Sequence, residues 1–413
     1  MFKKYPKLEK IIVNISWLFF DKILRMGIGL FVVMWLARYL GPAEFGLLNF
    51  VIALVSIFGV FSTLGLKGIV VRDLIDHAES EKEILGTTFI LRLFSGIFVY
   101  LLLLSTIFII KPDDTLSKIL VAIYGASLIF KSVEVIAFWF ESQVTYKYVV
   151  WVENTTFMIL SLVKVIMIWL EADLVQFAWV MLLESVIVAV ALLIVYSKLA
   201  SSPKNWQVTI TKARALLKNC WPLIISSAAW IIYTRVDQIM IGEMLDLSAV
   251  GQYSVAIKIS EMVNFVPMII VFSIIPIISK SRKNDRELYL KQFQMTYDLV
   301  VGLMLLTAFI FTFMSTWLVQ LLFGSEYMSA ASALSIHIWS TIFIAMATVS
   351  GKFLLNEGLQ KITMQRHLLG IFINIPLNYF LIPVYGIEGA AWASLASFAL
   401  CNYFYDALTS STR

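Results

Sequence analysis

The stretch SWLFFDKILRMGIGLFVVMWLARYLGPAEFGLLNF, Ser16 to Phe50, decides the fold. Its first part belongs to an apolar run from 15 to 38, long enough to cross a bilayer core as a helix, which takes about 20 residues. A short break near 39–46 follows, and a second apolar run starts near 47. The reading is therefore helix, short turn, helix, with Asp21, Lys22 and Arg25 carried inside the first helix. Working outward, the same alternation places helices near 15–38, 47–66, 85–110, 119–140, 149–170, 174–197, 219–243, 249–276, 293–322, 331–355, 362–383 and 387–408.

Composition agrees. The 413 residues are 60% hydrophobic and 14% charged, against about one quarter charged in soluble domains. A net charge of +5 would suit nucleic acid in a soluble protein, but here the distribution of charge is what carries information, and no nucleic-acid partner is expected. Of 32 Lys and Arg, 21 fall in alternate loops and the two tails, while the other loops hold only Arg38, Lys111 and Lys118. By the positive-inside rule both termini are expected to be cytoplasmic. Cys220 and Cys401 lie in apolar runs and are assigned no role. The histidines His77, His337 and His367 are scattered, no phosphate-binding glycine loop is present, and neither a metal nor a cofactor is expected.

The chain also repeats itself. At an offset of 205, Leu40, Ala43, Phe45, Gly46 and Leu48 fall against Leu245, Ser248, Val250, Gly251 and Tyr253. At 213, Ala178-Trp179 falls against Ala391-Trp392. Two six-helix halves of equal parity insert in parallel, and such repeats flank a midplane site. The expected architecture is an all-α integral membrane protein of about twelve transmembrane helices, in two six-helix pseudo-symmetric bundles around a central cavity. The bundles are expected at 1–200 and 219–413, joined by a cytoplasmic linker at 201–218.

Three stretches resemble the O-antigen flippase branch of the multidrug/oligosaccharidyl-lipid/polysaccharide exporter superfamily: Ser16–Phe50, the FWFESQVTYKY segment that ends the fourth helix, and NIPLNYFLIPVYGIEGAAWAS from Asn374 to Ser394. Where relatives often have Gln-Gly, this chain has Glu141-Ser142. The resemblance implies transport of an undecaprenyl-pyrophosphate-linked oligosaccharide repeat unit from the cytoplasmic to the periplasmic leaflet of a bacterial inner membrane. A complex with a polysaccharide polymerase is a further implication by family analogy alone.

Charges inside spans are expensive, so those retained face a wet interior or a partner. The basic ones are Lys22, Arg25, Arg92, Lys131, Lys164, Arg235, Lys258 and Lys352, and against them stand Asp21, Glu134, Glu184, Asp237, Glu261 and Asp298. Spacing of three or four residues predicts the local pairs Asp21–Arg25, Lys131–Glu134 and Lys258–Glu261. Lys22, Arg92, Lys164, Arg235 and Lys352 have no such acid on their own helix, so another helix, water or ligand must neutralise them. With Arg25 they form the candidate set for a pyrophosphate, which arginine grips bidentately. Asp21, Glu184 and Asp237 are candidate acids for coupling to H+ or Na+. Asn374 and Asn378, one turn apart, either line the sugar passage or bond between helices, and Pro267, Pro276 and Pro376 are candidate hinges.

A membrane glycan polymerase or ligase is disfavoured, because the external loops are too short to build a catalytic platform, and no enzymatic activity is expected. An ion-coupled drug antiporter of the same fold is the nearer alternative, but it calls for an acidic cavity, whereas the bases counted inside spans outnumber the acids.

Overall fold

In the computed structural model the backbone is described for Pro6–Leu408 and the side chains for residues 25–406 except 276, 277, 283 and 284. Among the described residues ten stretches are long and apolar enough to cross a membrane. Two of them hide a turn. The stretch Pro6–Thr63 breaks at Gly41, with φ 70° and ψ 173°, giving α1 (6–40) and α2 (42–63). Gly41 supplies the left-handed φ, and Pro42 follows as a first helical residue, where its missing N–H costs nothing. The stretch Gln360–Ala399 breaks likewise at Gly386 into α11 (360–385) and α12 (387–399), and a π-turn, Leu400–Phe404, carries α12 on to Leu408. Among the described residues twelve membrane helices result, in an all-α chain that crosses the membrane many times.

The others are α3 (Glu81–Ile110), α4 (Thr115–Ser142), α5 (Lys147–Trp169), α6 (Leu174–Leu199), α7 (Ile210–Met244), α8 in two pieces (Leu247–Val263 and Phe265–Asn284), α9 (Arg286–Phe323) and α10 (Ala330–Asn356). Large apolar side chains stand exposed along them, among them Phe98, Leu162, Phe313 and Phe372. That surface suits lipid and would aggregate in water. Of the expected hinge residues, Pro267 lies beside an interruption of the helix: it cannot donate to the Val263 carbonyl, and α8 is broken at Asn264. Pro376 sits within unbroken helix, and the Pro276 side chain lies outside the described residues.

The chain divides into two compact units. Unit 1 comprises residues up to Tyr39 with Leu54–Ser227, and unit 2 comprises Leu40–Ala53 with Ala228 onward. Within unit 1 the segment expected as a linker, 201–218, is built into the unit: α7 already begins at Ile210, and the run before it is strapped to α3. Gln207 N–H donates to the Lys82 carbonyl at 3.1 Å, Thr209 N–H donates to Thr87 Oγ1 at 3.2 Å, and the Thr209 hydroxyl donates to Glu83. Trp206 covers this strap, its indole N–H on the Tyr196 hydroxyl at 3.2 Å, above an apolar core that includes Leu66, Val70, Phe140 and Cys220.

Within unit 2 the starts of α2 and α8 pack reciprocally. A Cβ on Gly46 would lie 1.7 Å from the Leu247 carbonyl oxygen, and a Cβ on Gly251 would lie 2.1 Å from that of Pro42. Leu247 and Gly251 stand at the offset of 205 from Pro42 and Gly46. The repeat detected in sequence is thus a contact between its own two copies, so close that only glycine fits.

Candidate functional site

Two polar constellations lie inside the helical units. In unit 1 a cavity of about 280 Å³ is lined by Arg25 of α1, Lys131 and Glu134 of α4, Glu153 and Lys164 of α5, and Glu184 of α6. Its charges pair across helices. Arg25 donates to Glu153 at 2.9 Å and to Asn154 Oδ1 at 3.2 Å, Lys164 reaches Glu184 at 3.4 Å, and Glu134 accepts from Arg92 of α3 at 2.8 Å. Partial burial favours such pairing, since a charge taken out of water without a partner costs up to several kcal/mol, and of the lining charges Lys131 alone lacks an ion pair among the described residues.

Several expectations are corrected here. The local pair Lys131–Glu134 is not made, because Glu134 is taken by Arg92. In unit 2 the pair Lys258–Glu261 is not made either: Glu261 binds Arg235 at 2.9 Å. The partners of Arg92, Lys164 and Arg235 do come from neighbouring helices. Arg92 is not in the cavity lining but buried behind it, 2% exposed, with its guanidinium over the Phe138 ring. Glu153 is the charged lining residue that the sequence does not point to. It lies in the second turn of α5, where YVVWVENTT reads as a span end, and its place one helix away from Arg25 has no local signature. With it, the lining holds three bases and three acids, so the cavity is not the base-rich one that counting along the sequence implied. Asp21 and Lys22 lie outside the described side chains. Lys352 is in unit 2, its ammonium 4.7 Å from the Phe272 ring centre and without a hydrogen bond or ion pair among the described residues.

The second constellation, in unit 2, centres on Asp237 of α7, 2% exposed. One carboxylate oxygen accepts from the Tyr253 hydroxyl of α8 at 2.8 Å and from the Ser394 hydroxyl of α12, and the other accepts from Asn378 Nδ2 of α11 at 2.7 Å. Asn378 Nδ2 also donates to Asn374 Oδ1 at 2.9 Å. Both asparagines are wholly buried and bond between and along helices. Asn378 Oδ1 and Asn374 Nδ2 have no partner, so an oxygen ligand is left over beside a carboxylate that no lysine or arginine neutralises with a salt bridge among the described residues. Such a set suits a proton or a small hard cation, which takes oxygen ligands. Arg235, two residues before Asp237, points to another face and serves Glu261.

The profile of a family described as polysaccharide biosynthesis protein matches residues 11–282, and the MatE profile matches residues 222–380. The capsular polysaccharide biosynthesis protein CapF of Staphylococcus aureus is 22% identical over 403 residues, covering 95% of this chain and 98% of CapF. The probable low-salt glycan biosynthesis flippase Agl15 of Haloferax volcanii is 25% identical over 205 residues, a match spanning 49% of this chain and 43% of Agl15. Among solved structures, an inward-facing multidrug resistance MATE family transporter of the MOP superfamily superposes with a TM-score of 0.76 at 13% identity, covering 95% of this chain and 96% of that one. The lipid II flippase MurJ in an inward closed conformation gives 0.73 at 13%, covering 95% and 86%.

Proposed function

Because the chain belongs to the polysaccharide biosynthesis protein family, we propose that it is a flippase that carries an undecaprenyl-pyrophosphate-linked oligosaccharide, the repeat unit of an O-antigen or related surface polysaccharide, across a bacterial inner membrane by alternating access. The observation that carries this reading is the unit 1 cavity, where Arg25 and Lys164 are held inside the helical unit by carboxylates on neighbouring helices. A pyrophosphate brings the same geometry and more charge. It can take over these cations by exchange, with Arg25 contacting it bidentately, so that the phosphate enters without stranding a charge in the apolar core.

The driving force in this proposal is a proton or sodium gradient acting at Asp237. An isolated carboxylate inside a bundle is the usual site for such coupling, and neutral donors hold this one ready to take a positive charge. In this proposal both termini lie in the cytoplasm, and the interruption of α8 at Asn264 is taken as a point of bending. The second reading, an ion-coupled antiporter of small organic cations, draws support from the three acids of the same cavity.

Transfer of a labelled undecaprenyl-pyrophosphate oligosaccharide in proteoliposomes, under an imposed proton or sodium gradient, separates the two. Outer-leaflet appearance that requires the protein and falls by about 100-fold in Arg25→Ala is expected for the flippase, the loss of a bidentate charged contact. Absence of any lipid transfer, together with gradient-driven export of an organic cation, would establish the antiporter.

A further inference from the structure

Midway along α4 the helix tightens into a 3-10 turn, Lys131–Glu134. In 3-10 winding, side chains three residues apart eclipse one another, so Lys131 and Glu134 stand in the closest register that one helix offers an ion pair. They nevertheless do not pair. Glu134 is held at 2.8 Å by Arg92, and Lys131 has no hydrogen bond or ion pair among the described residues. Arg25 and Lys164 each have a carboxylate across the cavity, which leaves Lys131 as the lining cation without one. Arg92 is committed to this arrangement: it is buried, and its Nε and Nη1 have no other partner.

We propose that Lys131 is the primary docking residue for a phosphoryl anion in this cavity, and that Arg92 is a positioning residue that keeps Glu134 away from it. This rests on the reading of the cavity as a pyrophosphate site. The ligand chemistry is a phosphate or pyrophosphate, borne on a lipid or free in solution. Binding there needs no resident ion pair to open first, because the half-buried ammonium already lacks a counter-charge. Arg25 and Lys164 then exchange their carboxylates for the anion in a second stage. The 3-10 turn matters because Glu134 would fall back onto Lys131 as soon as Arg92 released it, closing the site from within.

The test is binding of farnesyl pyrophosphate to the purified full-length protein in detergent, followed by tryptophan fluorescence, with inorganic pyrophosphate as competitor. Lys131→Gln is expected to weaken binding by about 10- to 100-fold, the loss of one charge-assisted bond, and Lys131→Arg to restore it to within a few-fold. Arg92→Gln is expected to weaken binding similarly, and the double variant Arg92→Gln/Glu134→Gln to recover it. That recovery would not occur if Arg92 merely supported the fold. Wild-type protein that binds no pyrophosphate would overturn both this proposal and the flippase reading. Wild-type binding that Lys131→Gln leaves unchanged, or a double variant no better than Arg92→Gln, would overturn the docking role alone. Competition by inorganic pyrophosphate at least tenfold weaker than farnesyl pyrophosphate assigns the phosphoryl group to a lipid, and equal competition assigns it to a free anion. Both orders sustain the site.

Discussion

The two polar constellations keep their charges in opposite ways, although unit 2 also has cross-helix ion pairs elsewhere, such as Arg235–Glu261. In unit 1 every carboxylate lining the cavity faces a cation on another helix, as Glu153 faces Arg25 and Glu184 faces Lys164. In unit 2 the buried Asp237 is surrounded by the hydroxyls of Tyr253 and Ser394 and the amide of Asn378, with no cation bonded to it among the described residues. Ion pairs can be exchanged for a ligand that brings its own charge, whereas a lone carboxylate can be neutralised only from outside, by a proton or a metal cation. Two halves with a common helical order thus hold complementary chemistry, and under the proposed function one receives the anionic cargo while the other receives the driving cation.

The largest effect that tests this contrast is expected at Asp237. Asp237→Ala takes the acceptor from three buried donors at about 1–3 kcal/mol each, offset because Asn378 still donates to Asn374 and the Tyr253 and Ser394 hydroxyls can bond each other. A loss of roughly 3–5 kcal/mol in thermal or denaturant stability is therefore expected, along with loss of gradient dependence in proteoliposomes. Asp237→Asn keeps the shape of the cluster, so it should retain most of the stability while losing the coupling. Should gradient-driven transfer persist in Asp237→Asn, the coupling acid would lie in unit 1, and the division between the units would be reversed. The opposite sign is expected at Glu184. Glu184→Gln releases Lys164 from its resident carboxylate, and because the pair is partly hydrated the gain is about 1 kcal/mol, or roughly fivefold tighter binding of farnesyl pyrophosphate. Weaker binding in that variant would mean that Glu184 orients Lys164 for the ligand and does not compete with it.

A control for both clusters lies outside the membrane, in the turn after α10. Glu357 accepts from Arg286 at 2.8 Å and from Tyr289 at 3.0 Å and lies 3.2 Å from Arg282. Hydrogen bonding from Arg286 above all holds its carboxyl below the usual glutamate range. A carboxyl lowered on folding stabilises at pH above its unfolded value, about 4.3, and the contribution disappears as pH falls through the lowered folded value. Melting curves from pH 6 to 3 should therefore show an acid-dependent decline that Glu357→Gln flattens. Added salt should shrink the same difference, because these charges meet water. Equal salt sensitivity at Asp237 would show that the unit 2 cluster is hydrated rather than sealed.

How far the sequence reached depends on whether an effect is local. Helix number and order were legible because hydropathy is summed along the chain, and so were the breaks at Gly41 and near Gly386, where the apolar runs stop. Helix starts were legible only to the edge of the apolar run: α7 begins at Ile210 rather than 219, and α9 at Arg286 rather than 293, since a polar turn in water can remain helical. Charge partners were not legible. Spacing assigned Glu134 to Lys131 and Glu261 to Lys258, but arginines from adjacent helices took both acids, and nothing on α4 or α8 records what packs beside it. Asp237 is read from the sequence as a coupling acid and Asn374 with Asn378 as passage-lining or helix-bridging residues, and only the fold shows that the three form one cluster.

The smallest expected effect concerns the turns that set the helices carrying these sites. The α10–α11 turn of unit 2 passes through Gly358 at φ 75°, and the matching α4–α5 turn of unit 1 passes through Val144 at φ 55°. The α11–α12 and α5–α6 turns differ in the same way, with Gly386 at 58° and Glu171 at 54°. A β-branched residue in this left-handed region is strained by about 1–2 kcal/mol, so unit 1 stores strain at a position where unit 2 has none. Val144 is 40% exposed, so Val144→Gly forfeits little burial. The relief of strain exceeds the added entropy of the unfolded chain by about 0.5–1 kcal/mol. A rise in melting temperature of about 1–2 °C is expected, and Gly358→Val should lower it by at least as much. If Val144→Gly instead lowers the melting temperature, then the valine side chain holds α4 against α5. The strain would in that case belong to the mechanism that keeps Lys131 and Glu134 in register with Glu153 and Lys164.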